Sequence, residues 1–132
     1  TDVWYHVMVT IQSGVVNGSK MYINGSLESS GTLTVTSETG PLELAGLKTA
    51  YDDNYLPGKL DEIALWQSAL TAGQVTSVYN GGSPDDIDSL SPAGWWRMGD
   101  DNGGEGSVIT DQGTGANNIT LYNTPTFSTD VA

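Results

Sequence analysis

The chain of 132 residues has no cysteine, which excludes disulfide bonds, thiolate metal sites and thiol nucleophiles. It has one histidine, His6, which is too few for a histidine-rich metal site. Only four lysines and arginines stand against 16 aspartates and glutamates, a formal net charge of −12. Nucleic acid and anionic membrane surfaces would meet a repulsive field, so we expect neither as a partner. No apolar run approaches the roughly 20 residues of a membrane-spanning helix.

The residues that are abundant favour an all-β fold. Glycine occurs 17 times, about twice its usual share, and such a composition is typical of short strands and tight turns. Four tryptophans and a hydrophobic content of 37% can supply a core, which argues against disorder. The length fits a single domain over residues 1–132. Because the first residue is Thr1 rather than Met, we expect a fragment or a processed product.

The amino-terminal residues alternate at the strand period of two. One face carries apolar side chains, and the other face is mixed. The apolar face consists of Val3, Tyr5, Val7, Val9 and Ile11. This pattern predicts a strand over residues 3–11.

Turn residues separate the further strands. Asn17-Gly18-Ser19 and Asn24-Gly25 predict turns on either side of a strand over residues 20–23, and Asn-Gly favours a two-residue hairpin. Additional strands are predicted over residues 33–36, 42–45 and 60–66, with a loop over residues 46–58. After a helix, strands are predicted over residues 94–98, 107–110 and 118–122.

One helix is predicted after residue 70. Thr71 and Gln74 form a capping-box pattern, and an apolar stripe follows at helical spacing, ending at Tyr79. The Asn80-Gly81-Gly82 segment supplies residues that readily close a helix. The connector over residues 83–88 is acidic, and residues 51–132 hold twelve of the 16 acids, so the acidic field belongs to the second half.

Four ordered pieces of the sequence carry a family pattern. Residues 58–66 read G-K-L-D-E-I-A-L-W, and the predicted helix with Tyr79-Asn80-Gly81-Gly82 follows. Upstream, Trp4-Tyr5-His6-Val7 matches a W-x-H-V strand and Met21-Tyr22-Ile23-Asn24-Gly25 a Y-[VI]-N-G hairpin. Together they resemble the laminin-G/pentraxin group of concanavalin A-like domains. The resemblance implies a two-sheet jelly-roll sandwich with a family core over residues 1–82.

Two features qualify what the resemblance implies. The amino-terminal strands of that family would precede Trp4, so we expect the chain to be the carboxy-terminal part of such a domain. Residues 83–132, an acidic connector followed by closing strands, resemble a segment of laminin-G-like proteins of marine bacteriophages. The shared pieces are S-L-S-P at 89–92, G-W-W-R-M-G-D at 94–100 and T-D-Q-G at 110–113.

One acidic loop is a candidate calcium site through the resemblance. In pentraxins, the loop before the G-x-[IL] strand helps to bind calcium. Here that loop offers Asp52, Asp53 and Asn54, whose oxygens are of the kind that calcium takes. The glutamate and glutamine of the family are not at their places, and a solvated surface turn is the alternative.

A second acidic loop follows the predicted strand at 94–98. Asp100, Asn102 and Asp111 fall at the first, third and twelfth positions of an EF-hand loop. However, Glu105 occupies the position where that loop requires glycine, and the flanking segments read as strands. We therefore predict a non-EF calcium site with Asp100 and Asn102, against a solvated hairpin loop as the alternative.

Glycan contact needs an aromatic platform together with polar groups for the sugar hydroxyls. Tyr51 and Tyr55 flank Asp52-Asp53-Asn54, and this segment is our predicted glycan site. Trp95 and Trp96 point to opposite faces of a strand. One of them could therefore lie in the core and the other at the surface as part of a glycan platform, but burial is the favoured interpretation for each residue taken singly.

The sequence offers little for catalysis. Glycanases of this fold carry a strand of the pattern E-x-D-x-x-E, whereas Asp61 and Glu62 stand side by side on opposite faces. His6 lies within a strand, where a structural role is favoured. We predict that Asp61 is a partly buried carboxylate that accepts backbone N–H bonds from a neighbouring loop. The protein is accordingly predicted not to be an enzyme.

These observations predict a non-catalytic recognition or decoration module, most simply a bacteriophage structural protein of the capsid surface, fibre or tail that contacts glycans. Its expected location is the virion surface. The expected partners are other virion chains in an oligomeric assembly and a cell-surface glycan, and the expected cofactor is calcium. The alternative is a calcium-dependent, lectin-like carbohydrate-binding domain of a bacterial or extracellular protein. A glycoside hydrolase is the third class, and it lacks the paired carboxylates.

Overall fold

The computed structural model describes residues 3–36, 40, 42, 44, 46–48, 53–100, 106–122 and 125–128, with 46–48 and 53–55 as backbone only. The described elements are nine short strands, one α-helix, two 3-10 turns and connecting loops. The strands are β1 (Val7–Thr10), β2 (Ser19–Ile23), β3 (Ser26–Gly31), β4 (Gly46–Lys48), β5 (Asp53–Tyr55), β6 (Ile63–Leu65), β7 (Gly94–Trp96), β8 (Val108–Ile109) and β9 (Ile119–Thr120). The helix α1 spans Ala72–Tyr79, and 3-10 turns lie at Asn80–Gly82 and Asp88–Leu90.

The amino-terminal sheet has the order β1-β2-β3, with both pairs antiparallel. The turn between β2 and β3 is the predicted two-residue hairpin, since Asn24 and Gly25 both have positive φ, 48° and 74°. The strand predicted over residues 33–36 is wrong, because the third strand lies directly after the turn. Residues 33 and 35 instead contact the turn after β1, through Gly14 N to Leu33 O (2.8 Å) and Val35 N to Ser13 Oγ (3.0 Å).

Burial in the first strand follows the predicted period of two, but its direction is unusual. From Val3 to Thr10, exposed and covered side chains alternate without interruption. The apolar set is the exposed one, with Val7 58% exposed, while the mixed set faces the protein. A half-buried strand ordinarily places its apolar face inward. In β1 the arrangement is therefore the reverse of the ordinary one, with the apolar face exposed.

The helix begins and ends as predicted. The Thr71 side chain accepts a hydrogen bond from Gln74 N (3.3 Å), and Gln74 Oε1 accepts from Thr71 N (2.8 Å), which completes the capping box. Asn80 closes the helix in the left-handed conformation. At this end the Tyr79 ring lies 5.6 Å from the His6 ring, so the helix packs on the covered face of the amino-terminal sheet.

The hairpin turn and the helix approach each other closely at Gly25. A Cβ atom at this position would lie 2.8 Å from Tyr79 Cδ1, and the residue also has positive φ. Both conditions require glycine. The turn is thus fitted to the aromatic ring that ends the helix.

Three further pairs of strands complete the described structure. Strands β4 and β5 pair within the segment predicted as a loop. Of the strand predicted over 42–45, residues 43 and 45 lie outside the described residues. Strands β6 and β7 pair with Ile63 opposite Trp96 and Leu65 opposite Gly94. Strands β8 and β9 form the predicted closing pair. No helix among the described residues has the length and apolar character needed to cross a membrane.

The core lies mainly in the second half of the chain. Its buried apolar residues are Tyr22, Val75, Ile87, Trp95, Trp96 and Ile109. Residues 111–118, here named the Asp111 loop, run along the segment 92–95. The backbone bonds between them include Gln112 N to Trp95 O (2.8 Å) and Thr114 N to Pro92 O (2.9 Å). A Cβ at Gly113 would lie 2.8 Å from Gly94 Cα and from Pro92 O, so this approach requires glycine.

Candidate functional site

The predicted glycan and first calcium segments coincide at residues 51–55. Tyr51 and Asp52 lie outside the described residues. Asp53, Asn54 and Tyr55 form β5, where they pair with Lys48, Leu47 and Gly46 of β4 respectively. The three described candidate residues therefore belong to a paired strand. In a strand, Asp53 and Tyr55 share one face and Asn54 lies on the other.

In the second predicted calcium loop, Asn102 lies outside the described residues and Asp100 is engaged by a cation of the chain itself. Arg97 Nη2 lies 3.1 Å from Asp100 Oδ2, and Asp100 remains partly exposed. A metal ion at this carboxylate would have to compete with the guanidinium. Within the described part of the chain, no three acidic or histidine side chains cluster in a way that could hold a metal.

Glu62 links β6 to β7 through two hydrogen bonds that the sequence did not indicate. Its Oε2 accepts from Trp95 Nε1 at 2.7 Å, and its Oε1 accepts from Arg97 Nε at 2.9 Å. The Arg97 guanidinium also lies over the Trp95 ring, 5.3 Å from its centroid, a cation–π arrangement. Both carboxylate oxygens of Glu62 are thus used in holding an aromatic and a basic side chain in place.

The backbone at Glu62 is strained. Its φ of 48° is in the left-handed region, which a residue with a Cβ adopts only at a cost. The same kink interrupts the alternation predicted for residues 60–66, so that β6 begins at Ile63. The orientation of the Glu62 carboxylate towards Trp95 therefore depends on this unusual backbone.

Both adjacent tryptophans of β7 are buried, Trp95 5% exposed and Trp96 4% exposed. The favoured prediction of burial is confirmed, and the alternative of one exposed tryptophan is wrong. The reason is that each face of the short strand β7 is covered and each indole N–H finds an acceptor. Trp96 Nε1 donates to Asn117 O at 2.9 Å, and Trp95 Nε1 donates to Glu62. Neither ring is available as a platform for a sugar.

Asp111 is the carboxylate that organises the loop named after it. Its Oδ1 accepts from Trp95 N (2.8 Å) and Gly113 N (2.8 Å), and its Oδ2 accepts from Asn117 N (2.7 Å). Its own N–H donates to Asn118 Oδ1 at 3.0 Å. Charge-assisted bonds of this kind are stronger than neutral ones. Asp111 thus fastens the loop to β7.

Two opposing effects act on the pKa of Asp111. Burial raises the pKa, but the backbone N–H groups of Trp95, Asn117 and Gly113 lower it, and their combined effect is a pKa below the usual range. The ionised form is therefore favoured in the folded protein. Because both oxygens already accept backbone hydrogen bonds, Asp111 is not placed as the twelfth-position ligand of a calcium loop.

His6 has a structural environment. Its backbone N–H donates to Asn24 Oδ1 at 3.0 Å, and Asn24 N donates back to His6 O at 2.8 Å. Its Nδ1 is buried without a hydrogen-bond partner among the described residues. Burial lowers the pKa of the imidazole, so its neutral form is favoured.

Asp111 accepts backbone bonds from its own loop and from β7, and Asp61 accepts a bond from the next residue, Glu62 N, at 3.0 Å. Asp111 thus has the kind of role that the sequence predicted for Asp61. A local signal existed, since an aspartate two residues before a glycine often accepts a bond from that backbone N–H. No comparable signal pointed to Glu62, whose role depends on the kinked backbone.

Comparison with known proteins supports the predicted fold. A laminin-G-type family model, described as the concanavalin A-like lectin/glucanases superfamily, matches residues 1–76. The chain belongs to this superfamily, and its fold is an all-β, jelly-roll-like one with one short helix. Such domains commonly bind carbohydrate or act in adhesion, and they are generally non-catalytic. The comparisons with curated proteins and with solved structures gave no match.

Proposed function

We propose that the chain is a non-catalytic recognition module that binds a glycan through residues 51–55 and is carried on the surface of a bacteriophage particle. The superfamily supports the first part of this proposal, because its members commonly bind carbohydrate. The sequence of residues 83–132, with its resemblance to marine bacteriophage proteins, supports the second part.

The observation that supports the non-catalytic reading is the engagement of two covered carboxylates, those of Glu62 and Asp111. Glycoside hydrolysis requires two carboxyl groups that flank the scissile bond. Both oxygens of Glu62 contact Trp95 and Arg97, and both oxygens of Asp111 accept backbone bonds. Each carboxylate is therefore committed to holding the fold, which leaves it unsuited to receive or donate a proton at a substrate.

The burial of both tryptophans directs the glycan proposal to the tyrosines. Tyr51 and Tyr55 supply the aromatic faces, while Asp52, Asp53 and Asn54 supply acceptors for sugar hydroxyls. The same three oxygen-bearing side chains supply ligands for calcium, which takes 6–8 oxygens. We place calcium at this segment first, because at Asp100 it would displace the Arg97 guanidinium. Asn102 would be the second ligand there.

A glycan array with the 132-residue chain tests the proposal, once in calcium and once in a chelator. We expect binding that Tyr55→Ala reduces at least tenfold. Tyr122→Ala is the matched control, since Tyr122 is an exposed tyrosine outside the segment. For calcium, Asp53→Asn is paired with Asp85→Asn, an exposed aspartate of the connector. The absence of binding in both buffers, from a sample with folded-protein tryptophan fluorescence, would overturn the glycan proposal.

The phage assignment has its own test. Tryptic peptides of this chain should be found by mass spectrometry in density-purified particles from a source that encodes it. Their absence from particles, together with calcium-dependent glycan binding, would favour the calcium-dependent lectin-like domain of a bacterial or extracellular protein.

A further inference from the structure

An asparagine followed by glycine is a chemically labile pair as well as a turn signal. The backbone nitrogen of the glycine attacks the side-chain amide of the asparagine, and glycine has no Cβ to hinder that attack. Asparagine is for this reason among the thermolabile residues. The sequence contains four such pairs: Asn17-Gly18, Asn24-Gly25, Asn80-Gly81 and Asn102-Gly103. The first three lie among the described residues, so their surroundings are directly comparable.

All three described asparagines have a backbone conformation that opposes the attack. The φ angles of Asn17, Asn24 and Asn80 are 52°, 48° and 43°. Asn80 has a ψ of 40°, which turns the Gly81 nitrogen away from the side chain that it would attack. The reaction therefore requires the backbone to leave the left-handed conformation. The three pairs differ in how much structure must open for this to happen.

The Asn24-Gly25 pair is held by the first strand and by the helix. Asn24 Oδ1 accepts a hydrogen bond from His6 N at 3.0 Å, and Asn24 N donates to His6 O at 2.8 Å. A Cβ at Gly25 would lie 2.8 Å from Tyr79 Cδ1, so the tyrosine ring packs on the backbone of the turn. Opening this pair breaks both attachments, and we expect it to be slow to react.

The Asn17-Gly18 pair is held mainly through its glycine. Asn17 is exposed, but Gly18 is buried, and its N–H donates to Val15 O at 3.0 Å. The N–H of Asn17 donates to Thr32 Oγ1 at 3.1 Å. The Gly18 nitrogen must lose its proton to base before it attacks, and burial with a hydrogen bond opposes that loss.

The Asn80-Gly81 pair is the most open of the three. Asn80 and Gly81 are both exposed, and a Cβ at Gly81 would have no atom within 4 Å. Asn80 Nδ2 donates to Ser83 O at 3.2 Å in an exposed hydrogen bond, and Asn80 N donates to Thr76 O. The pair lies at the end of α1, and helix ends fray. Less structure must therefore open here than at the other two pairs.

We propose that Asn80 is a deamidation site of the folded protein and that it reacts before Asn17 and Asn24. Base removes the proton of the Gly81 nitrogen, which attacks Asn80 Cγ and closes a five-membered succinimide. The Cγ–Nδ2 bond breaks, and ammonia leaves with a proton from water. Water then adds to one of the two ring carbonyls, and ring opening gives isoaspartate or aspartate. The sum is one water consumed and one ammonia released, with no oxidation or reduction.

The products change the end of α1. Aspartate and isoaspartate each place a negative charge at the carboxyl end of a helix, where the helix dipole disfavours it. Isoaspartate also lengthens the main chain by one atom directly after Tyr79, whose ring contacts His6 and packs on Gly25. We therefore expect the modified chain to unfold at a lower temperature. The proposal is independent of glycan binding, because it does not involve the segment 51–55.

Tryptic peptide mapping of the 132-residue chain tests the proposal. The four basic residues divide the chain so that each Asn-Gly pair lies in a different peptide: residues 1–20, 21–48, 60–97 and 98–132. The chain is incubated in mildly alkaline buffer, once folded and once in guanidinium chloride, and the gain of one mass unit is followed with time. In denaturant, the first three peptides should react at similar rates. In the folded chain, peptide 60–97 should react roughly tenfold or more faster than peptide 21–48, and faster than peptide 1–20.

Asn80→Gly is the control for the site, because glycine suits the left-handed cap and has no side-chain amide. This variant should show no mass gain in peptide 60–97, since Asn80 is the asparagine of that peptide. The proposal is overturned if peptide 60–97 of the folded chain reacts no faster than peptides 1–20 and 21–48, or if its mass gain persists in Asn80→Gly. An unchanged melting temperature after complete modification would overturn the effect assigned to the helix end.

Discussion

The β1–β2–β3 sheet and the region around the Asp111 loop differ in what holds them together. In the sheet, backbone pairing extends over four to six residues of each strand, with one register shift between Met21 and Tyr22, yet the apolar side chains of one face are exposed. Around the Asp111 loop the strands are two or three residues long, yet both tryptophans are buried and their N–H groups paired. Extended backbone pairing and a covered core are thus separate properties, and the described residues place them in different halves of the chain.

The largest expected effect is a loss of stability around the Asp111 loop. Asp111→Ala would leave the N–H groups of Trp95, Gly113 and Asn117 without their acceptors, at a cost of about 1–3 kcal/mol for each group that stays buried. We expect a loss of about 3 kcal/mol or more in the free energy of unfolding, measured by urea titration. Asp111→Asn is the control, because it keeps one oxygen acceptor and should lose less. Equal stability of Asp111→Ala and the unchanged chain would contradict the role given to this carboxylate.

Glu62 permits a second and smaller test in the same region. Glu62→Ala removes the acceptor of Trp95 Nε1 while the positive φ remains, and we expect a loss of about 1–3 kcal/mol. Glu62→Gly removes the same acceptor but relieves the backbone, so it should be more stable than Glu62→Ala by about 1 kcal/mol. Thermal unfolding of the two variants checks the order. The reverse order would show that the backbone at this position is not strained.

Acid should weaken both regions in separate pH ranges. The pKa of His6 is below its ordinary value of 6.5, so the unfolded chain binds the proton more readily and stability falls as the pH decreases below about 6.5. The pKa of Asp111 is below its ordinary value of 3.8, so its contribution is present above that pH and is lost as the pH falls through the folded-state pKa. Urea titrations at successive pH values measure both. His6→Gln should flatten the upper range, and Asp111→Asn the lower one.

The smallest expected effect is the change in stability from a substitution on the exposed apolar face of β1. Val7→Thr exchanges an exposed valine for a β-branched residue of the same shape, and at micromolar concentration it should change the free energy of unfolding by less than about 0.5 kcal/mol. Val75→Thr is the contrasting variant, since Val75 is fully buried in α1 and its loss should cost more than 1 kcal/mol. Equal losses for the two valines, measured by urea titration, would mean that Val7 is covered in the folded chain.

The sequence predicted the elements whose signals are local. The capping box of Thr71 and Gln74, the Asn24-Gly25 hairpin and the closing strands were all found where expected, because each depends on a few adjacent residues. The strand at 33–36 was misplaced, since a short apolar run there does not distinguish a strand from its neighbouring turn. The pairing of β6 with β7 depends on contacts more than 30 residues apart, and no local pattern indicates it.

The predictions for the candidate site also differ in how far the structure tests them. The residues of the 51–55 segment were chosen for their chemistry, and Tyr51, Asp52 and Asn102 lie outside the described residues, so these assignments stay predictions. Burial of both tryptophans is confirmed, but the acceptors of their indole N–H groups, Glu62 and Asn117, are distant in sequence and no local pattern indicates them. Alternation alone gives the two faces of a strand, but not which of them is covered.

Amide hydrogen exchange followed by mass spectrometry tests the contrast between the two regions most directly. We expect slow exchange in peptides covering residues 92–98 and 111–118, because the hydrogen bonds of Asp111 join these segments. Peptides covering β1 and β2 should exchange faster, because one face of these strands is exposed. Rapid exchange of the Asp111 loop, or slower exchange of β1 and β2 than of that loop, would contradict the account.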